Sequence, residues 1–220
     1  MAPDTPLAAR SRLLILTAVA TAIVYGGGMV ALGTPPGADD TGAQVAAWFT
    51  GHRAGVRWFV WTATAAMPLA ALMFALMRRL LPAPHRDVFS LGAATIIVTT
   101  AIQAWIWGGL ALHTEHLDDA TARALLDVAL FWGPVLTGAT ITVITPVALL
   151  ALQGRVGLPG WLGWFGMVVV VEQALETVTI FGTTGFTAPG GPMNVQLGES
   201  LVWAWLLGFA ACGSLGRHSR

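Results

Sequence analysis

Glu172 and Glu176 lie four residues apart in a largely apolar stretch, residues 161–181, that is long enough to cross a lipid bilayer. Side chains at positions i and i+4 share a helix face, so both carboxyl groups are expected to point the same way. Carboxylates are costly in hydrocarbon and therefore mark candidate functional sites. Two ionised groups this close repel each other, so one is expected to be protonated unless a cation, such as Arg57 or Arg123, lies between them.

Three roles fit this pair. A glutamate held neutral in an apolar site can donate a proton, which would suit an intramembrane acid-catalysed isomerase or cyclase using Glu172 or Glu176. The pair would also suit a proton-coupled transporter, although the chain has no internal repeat and no polar residues toward the inner side. The structural alternative is a hydrogen bond across helices, for example to Gln103, that holds the bundle together. The sequence does not decide whether the protein is an enzyme.

Other polar side chains fall at a similar depth. Gln103 is expected about 14 Å below the outer end of the third apolar block, and Asp127 at the start of the fourth. Glu199 is expected about one turn inside the membrane if the sixth helix begins near residue 194, or at the headgroups if that helix is short. Together with Glu176, these residues predict a polar patch in the outer half of the molecule.

Tryptophans gather in the same half. Tryptophan is common at membrane interfaces, but several of these residues are expected below the surface. The candidate ligand-binding tryptophans are Trp105, Trp107, Trp132, Trp203 and Trp205. Aromatic walls beside carboxyl groups suit an apolar or cationic ligand. Our leading hypothesis is therefore an outward-opening pocket that binds a lipid-like or isoprenoid small molecule.

A second group of residues is a weak candidate for a metal site. His113 and His116 are three residues apart, and Asp118 and Asp119 follow them. No complete ligand motif such as H-E-x-x-H is present, so the sequence predicts neither a metal nor any other cofactor. No basic patch suggests a nucleic acid partner.

The composition indicates a membrane protein. Of 220 residues, 55% are hydrophobic and only 10% are charged, and the mean hydropathy is +0.71. These charges are too few to form the surface of a soluble domain of this size. The only cysteine, Cys212, excludes a disulfide within the chain. The lipid bilayer is the expected partner, and the oligomeric state is not predicted.

Long apolar blocks predict an all-α, polytopic integral membrane protein, a bundle of six transmembrane helices in a single domain over residues 1–220. The predicted spans are 13–33, 58–77, 89–112, 129–152, 161–181 and 195–215. The length of the first block favours a retained span over a signal peptide. Residues 41–52 and 118–127 are each predicted to form an amphipathic helix on the outer surface.

The arginines predict the orientation. With both termini in the cytoplasm, eight arginines lie inside: Arg10, Arg12, Arg78, Arg79, Arg86, Arg155, Arg217 and Arg220. Three lie outside: Arg53, Arg57 and Arg123. This bias follows the positive-inside rule and predicts a multi-pass protein of the bacterial inner (plasma) membrane.

Two segments resemble a family of small actinobacterial-type multi-pass membrane proteins of unknown function. The first is residues 44–57, with Ala-Trp-Phe and His-Arg ahead of a span that ends in Met77-Arg78-Arg79-Leu80. The second is Gly157-Leu158-Pro159-Gly160-Trp161-Leu162-Gly163, which leads into the fifth span. The resemblance covers most of the chain. It implies about six helices and no known activity, and the glutamate pair is not a feature associated with that family.

Overall fold

The structure is a computed structural model that describes residues 6–215, with side chains described for residues 12–214. Within that range it is all-helical and contains no strand. The α-helices are α1 (Pro6–Leu32), α2 (Gly42–Arg78), α3 (His85–Leu110), α4 (Asp119–Leu130), α5 (Trp132–Leu152), α6 (Gly160–Glu176) and α7 (Glu199–Leu215). Short 3₁₀ segments cover Thr114–His116, Thr177–Phe181 and Gly185–Thr187, and a π-helical turn covers Met193–Gly198.

Six helical stretches are long and apolar enough to cross a membrane, as the sequence predicted. They are Arg12–Leu32, Gly42–Arg78, His85–Leu110, Asp119–Leu152, Gly160–Phe181 and Met193–Ser214. α4 and α5 together form the fourth stretch, with Phe131 in the turn between them. α6 and its 3₁₀ extension form the fifth, and the π turn and α7 form the sixth.

These stretches close into a ring. α1 packs against α2, α2 against α3, α3 against α5, α5 against α6, α6 against α7, and α7 again against α1. α4 packs mainly against α2. We call the end at which α1 begins and α7 ends the proximal end, and the opposite end the distal end. At the proximal end, Gly213 of α7 lies against Leu14 of α1 and Leu80 at the end of α2.

Residues 41–52 do not form a separate surface helix, so that prediction is wrong. They are the first turns of α2, which continues without a break to Arg78. A capping box starts the helix: the Thr41 side chain accepts from the Gln44 N–H, and the Gln44 side chain accepts from the Thr41 N–H at 2.7 Å. Val45 and Phe49 are fully buried, so this part of α2 belongs to the core. At 37 residues and about 55 Å, α2 is longer than a bilayer core requires.

α4 is a separate amphipathic helix at the distal end. Asp118 caps its first turn by accepting from the Thr121 N–H at 3.0 Å. This hydrogen bond lowers the pKa of the Asp118 carboxyl. Arg123 of α4 donates to the carbonyl oxygens of Gly37 at 3.0 Å and Asp40 at 2.8 Å. These two hydrogen bonds link α4 to the loop between α1 and α2.

Two apolar clusters hold the ring together. The proximal cluster centres on Trp205 and Phe209 of α7, and the distal cluster on Phe49, Phe59 and Trp107. Between α5 and α6 the backbones approach closely: a Cβ at Gly166 would lie 3.0 Å from the Ala148 Cβ. Such small-residue contacts are typical of helix packing in membranes. The candidate site lies at the level between the two clusters.

Candidate functional site

A cavity of about 120 Å³ occupies the centre of the ring. Most of its wall is apolar, with small and aliphatic side chains from α2 and α3, among them Ala63, Ala66, Met67, Ala70, Ile96 and Ile97. Its polar side chains come chiefly from α1, α6 and the segment that leads into α7: Thr21, Tyr25, Gln173, Glu176, Asn194 and Glu199. All six candidate membrane spans therefore contribute to one central cavity, and most of its polar groups lie on one side.

Glu176 lies at the centre of a buried hydrogen-bond network. Its side chain is 3% exposed. Oε1 accepts from Asn194 Nδ2 at 2.6 Å, and Oε2 accepts from Gln173 Nε2 at 2.6 Å. Gln173 Nε2 also donates to Glu172 Oε2 at 2.9 Å, so one amide group bridges the two glutamates. Both oxygens of Glu176 are thus fixed as hydrogen-bond acceptors at the cavity wall.

The π turn Met193–Gly198 brings Asn194 and Gly198 to Glu176. Gly190 has φ +70°, a conformation that favours glycine, and its N–H donates to Asn194 Oδ1 at 3.0 Å. Asn194 Nδ2 also donates to Thr179 Oγ1 at 3.3 Å. At position 198 the absence of a side chain lets Glu176 Oε2 approach the backbone. The turn therefore holds the carboxyl group from two sides.

Glu199 enters the same cavity from the first turn of α7. Its Oε1 accepts from Trp203 Nε1 at 3.3 Å, one helical turn further along. The Trp203 ring in turn lies beside Tyr25 of α1, with 6.0 Å between the ring centroids. Glu199, Trp203 and Tyr25 form a carboxyl and aromatic wall beside Glu176.

Two further spaces adjoin the central cavity on the side of the distal loops. A second cavity of about 40 Å³ shares Tyr25, Trp132, Gly133, Asn194 and Glu199 with it and extends to Pro35 and Gly190. Gln103 and Trp107 line this distal cavity. A third space of about 180 Å³, the lateral groove, shares Gln103, Ala129 and Trp132 with the distal cavity and lies between α3 and the α4–α5 junction.

Three polar atoms around these spaces have no hydrogen-bond partner among residues 12–214. They are Gln103 Oε1, Trp107 Nε1 and Trp132 Nε1. Unpartnered polar groups are uncommon in protein interiors. The two indole N–H groups and the amide oxygen are thus buried beside these spaces without a partner among the described residues.

The chain matches no protein-family model, no curated protein and no solved structure. The resemblance of its loop-and-span junctions to an actinobacterial-type membrane family therefore stays a prediction. Function has to be inferred from the site alone.

The two predicted glutamates do not share the cavity wall. Glu176 lines the central cavity, whereas Glu172 is not among its wall residues. Glu172 is 9% exposed, and its Oε1 has no partner among the described residues. Glu172 lies about 6 Å further from the distal end than Glu176, and the Gln173 amide links it to that carboxyl group. Gln173, which lies between them in sequence, takes the place predicted for Glu172.

Of the other predicted residues, five line one or both cavities and three do not. Trp132, Trp203 and Glu199 line the central cavity, and Gln103 and Trp107 the distal one. Trp105 instead faces outward and is 74% exposed. Trp205 is fully buried in the proximal cluster, where its Nε1 donates to the Leu162 carbonyl at 3.3 Å. Asp127 accepts from Arg123 on α4.

The corrections for Trp105 and Trp205 have one physical cause. Two residues rotate a helix by about 200°, so Trp105 points away from the side on which Gln103 lies, and Trp205 away from Trp203. Of the two arginines proposed as partners, Arg123 is engaged by Asp127 and by two loop carbonyls, and Arg57 is exposed and does not line the central cavity. An expected depth could therefore be counted along each helix, whereas the direction of each side chain around its helix could not be derived from the sequence.

Tyr25, Gln173, Asn194 and Gly198 were not predicted from the sequence. Tyr25 is the only tyrosine in the chain and lies in a long apolar helix, which was an available signal. Gln173 was another, because it adjoins Glu172 in a membrane-spanning stretch. Asn194 and Gly198 gave no comparable signal, because their roles depend on the π turn.

The histidines do not converge on a metal site. Among the described residues, no group of three or more histidine, cysteine, aspartate or glutamate side chains could hold a metal ion. His113 Nδ1 lies 3.6 Å from Glu115 Oε1 on the distal surface. His52 stacks on Trp48, with 4.5 Å between the ring centroids.

Proposed function

We propose that this protein binds a small amphiphilic molecule in its central cavity, within a bacterial inner membrane. The polar end of the ligand lies against Glu176, Glu199 and Asn194. Its apolar end lies among the alanine, methionine and isoleucine side chains of α2 and α3. The observation that carries this proposal is the concentration of polar groups on one side of an otherwise apolar cavity. Ligand sites generally combine a mainly apolar lining with a few placed polar groups.

The size of the cavity limits the ligand. An engineered apolar cavity of roughly 150 Å³ in another protein holds benzene. A cavity of about 120 Å³ therefore takes a group of about six heavy atoms. A complete isoprenoid or lipid chain is larger, so the remainder of such a molecule would lie in the distal cavity or the lateral groove. The proposal is thus a site for one end of a lipid-like molecule, or for a small molecule as a whole.

Binding is favoured over acid catalysis by the hydrogen bonds of Glu176. A general acid needs an O–H directed at its substrate, at about 2.6–3.2 Å. Both oxygens of Glu176 instead accept from amide groups of the protein, at 2.6 Å each. This arrangement suits recognition of a donor group on the ligand.

We also propose that the distal end faces outward. The described arginines at the proximal end are Arg12, Arg78, Arg79, Arg86 and Arg155, and those at the distal end are Arg53, Arg57 and Arg123. Cytoplasmic loops carry the excess of positive charge in most membrane proteins. Arg10, Arg217 and Arg220, which also entered the prediction, lie outside the described residues. With this orientation the distal cavity opens outward.

Removal of one carboxylate should abolish ligand retention. The wild-type protein, Glu176→Gln and Glu172→Gln are purified identically in a mild detergent, and co-purifying small molecules are identified by mass spectrometry. Glu176→Gln is expected to lose at least nine-tenths of the bound molecule, because its new amide N–H faces Gln173 Nε2 and the ligand loses a carboxylate partner. Glu172→Gln is the matched control and should retain the molecule. Equal occupancy in all three proteins, or none in the wild type, would contradict the proposal.

Single cysteines test the orientation and the opening. In a Cys212→Ser background, His113→Cys on the distal surface and Gln103→Cys at the distal cavity should react with a membrane-impermeant thiol reagent added to intact cells. Arg155→Cys at the proximal end should react only after the cells are permeabilised, and Trp205→Cys in the core should not react. Labelling of residue 155 in intact cells would reverse the orientation, and protection of residue 103 would exclude the outward opening.

A further inference from the structure

We infer that the ligand of the central cavity carries a positively charged ammonium-type group, seated between Glu176 and Glu199 and against the rings of Tyr25 and Trp203. This inference rests on the proposed function and specifies the chemical class of the ligand: a lipophilic amine.

The first support is the charge of the cavity wall. Two glutamates line the central cavity, and no arginine, lysine or histidine is among the described residues that line it, the distal cavity or the lateral groove. Of the three arginines of the distal end, Arg53 donates to the Leu112 carbonyl and Arg123 to Asp127, and Arg57 is exposed. Burying carboxyl groups without a cationic partner is costly, and a cationic ligand would supply that partner. An anionic headgroup would be repelled.

The second support is the aromatic wall. Tyr25 and Trp203 lie with their ring centroids 6.0 Å apart and their planes inclined by 35°. The hydrogen bond from Trp203 Nε1 to Glu199 Oε1 fixes the edge of the indole, so its ring stands beside the carboxyl group. Aromatic faces attract ammonium groups, and the attraction is strongest where water is excluded. Carboxyl groups and aromatic faces together are the combination that recognises an alkylammonium ion.

The third support is the capacity of the carboxyl oxygens. A carboxylate can accept about four hydrogen bonds, and among the described residues Glu176 accepts two and Glu199 one. A primary ammonium has three N–H donors and no acceptor, so it matches an acceptor-rich site. The apolar remainder of the wall then takes the first part of an alkyl chain, so that headgroup and chain together fill the cavity with about six heavy atoms.

Three probes that share one chain length and differ in the charge of the headgroup test the inference. Radiolabelled octylamine, octanol and octanoate have the same chain length and carry a positive, neutral and negative headgroup at pH 7. Saturable binding of each is measured on the full-length protein in nanodiscs of neutral lipid, after subtraction of protein-free nanodiscs. We expect octylamine to bind at least tenfold more tightly than octanol, and octanoate to show no saturable binding.

Variants assign the preference to the site. Glu199→Gln should reduce the preference of the protein for octylamine over octanol to less than threefold. Glu115→Gln, the same change at an exposed distal position, should leave it intact. If Glu199→Gln does not fold, the comparison of the three probes on the wild-type protein still decides the inference.

The outcomes separate this inference from the proposed function. Equal binding of octylamine and octanol, or tighter binding of octanol or octanoate, overturns the ammonium inference and leaves an amphiphile-binding cavity. An octylamine preference that Glu199→Gln leaves unchanged overturns the assignment of the cation to this wall. Absence of saturable binding by all three probes, together with no co-purifying molecule, overturns the proposed function itself.

Discussion

Replacement of Asn194 with leucine is expected to destabilise the protein by about 3 kcal/mol, because it leaves a buried carboxylate without one of its two partners. Asn194 is 4% exposed and makes three hydrogen bonds, to Glu176 Oε1, to Thr179 Oγ1 and from the Gly190 N–H. Leucine has a similar volume but can make none of them. The Cβ and Cγ of residue 194 would still pack against Gly133 of α5, so the loss falls on the link from the π turn to α6 and its 3₁₀ extension.

Cys212 allows this loss to be measured. It is the only cysteine and is partly buried, so a thiol-reactive fluorescent dye reports thermal unfolding in detergent. A loss of about 3 kcal/mol should lower the unfolding temperature by about 6–12 °C in a chain of this size. Gln196→Leu is the control, since Gln196 is an exposed polar residue of the same π turn. Equal unfolding temperatures for Asn194→Leu and Gln196→Leu would show that the buried network does not stabilise the fold.

The overall fold could be predicted from the sequence because its signals are local. A membrane-spanning helix requires about 20 apolar residues, and each block can be recognised without knowledge of its neighbours. The predicted first span at 13–33 and the helix Pro6–Leu32 agree at their distal end to within one residue. Residues 41–52 were misassigned because Val45, Trp48 and Phe49 share one helix face, which suggested an amphipathic surface helix, whereas α2 extends beyond the length that a bilayer requires.

The site could be predicted only in part because it depends on how helices face one another. Depth follows from counting residues along a helix, and this grouped Glu176 and Gln103 with one of the two expected positions of Glu199. Glu176 and Glu199 line the central cavity together, and Glu199 and Gln103 line the distal one. The direction in which a side chain points around its helix axis depends on packing. Trp105 and Trp205 were therefore assigned to the cavity wall, although both side chains point away from it. The π turn could not be predicted from the spacing of apolar residues, because it inserts a residue into the helical repeat only locally.

The π turn Met193–Gly198 also bears on the proposed function, because it positions the Glu176 carboxyl group. π-helical insertions inside helices occur frequently at functional sites. Here the turn presents the Asn194 amide and the bare Gly198 backbone to the same carboxyl group. The carboxyl group is therefore held by contacts that belong to the fold, while its remaining acceptor capacity lies at the cavity. A change confined to this contact should separate binding from stability.

Gly198→Ala is expected to reduce ligand binding at least tenfold while lowering the unfolding temperature by less than Asn194→Leu does. A Cβ at position 198 would collide with Glu176 Oε2 and lie 3.0 Å from Gln173 Nε2. Both atoms are ends of flexible side chains, so the side chains can move and the helices need not. The displaced carboxylate would enter the central cavity and occupy the position of the ligand headgroup. The displaced carboxyl group gives up its bonds to Gln173 and Asn194, but Asn194 keeps its bonds to Thr179 and Gly190, so the loss of stability should be smaller than in Asn194→Leu.

Gly138→Ala provides the matched control for this substitution. Gly138 lies in α5, where a Cβ would have no described atom of a neighbouring side chain or helix within 4 Å, and alanine favours a helix over glycine by about 1 kcal/mol. This variant should bind octylamine like the wild type and unfold at the same or a slightly higher temperature. Gly198→Ala should differ from it in binding much more than in unfolding temperature. Equal affinity of Gly198→Ala and Gly138→Ala for octylamine would contradict the prediction. It would show that the position of the Glu176 carboxyl group does not govern binding.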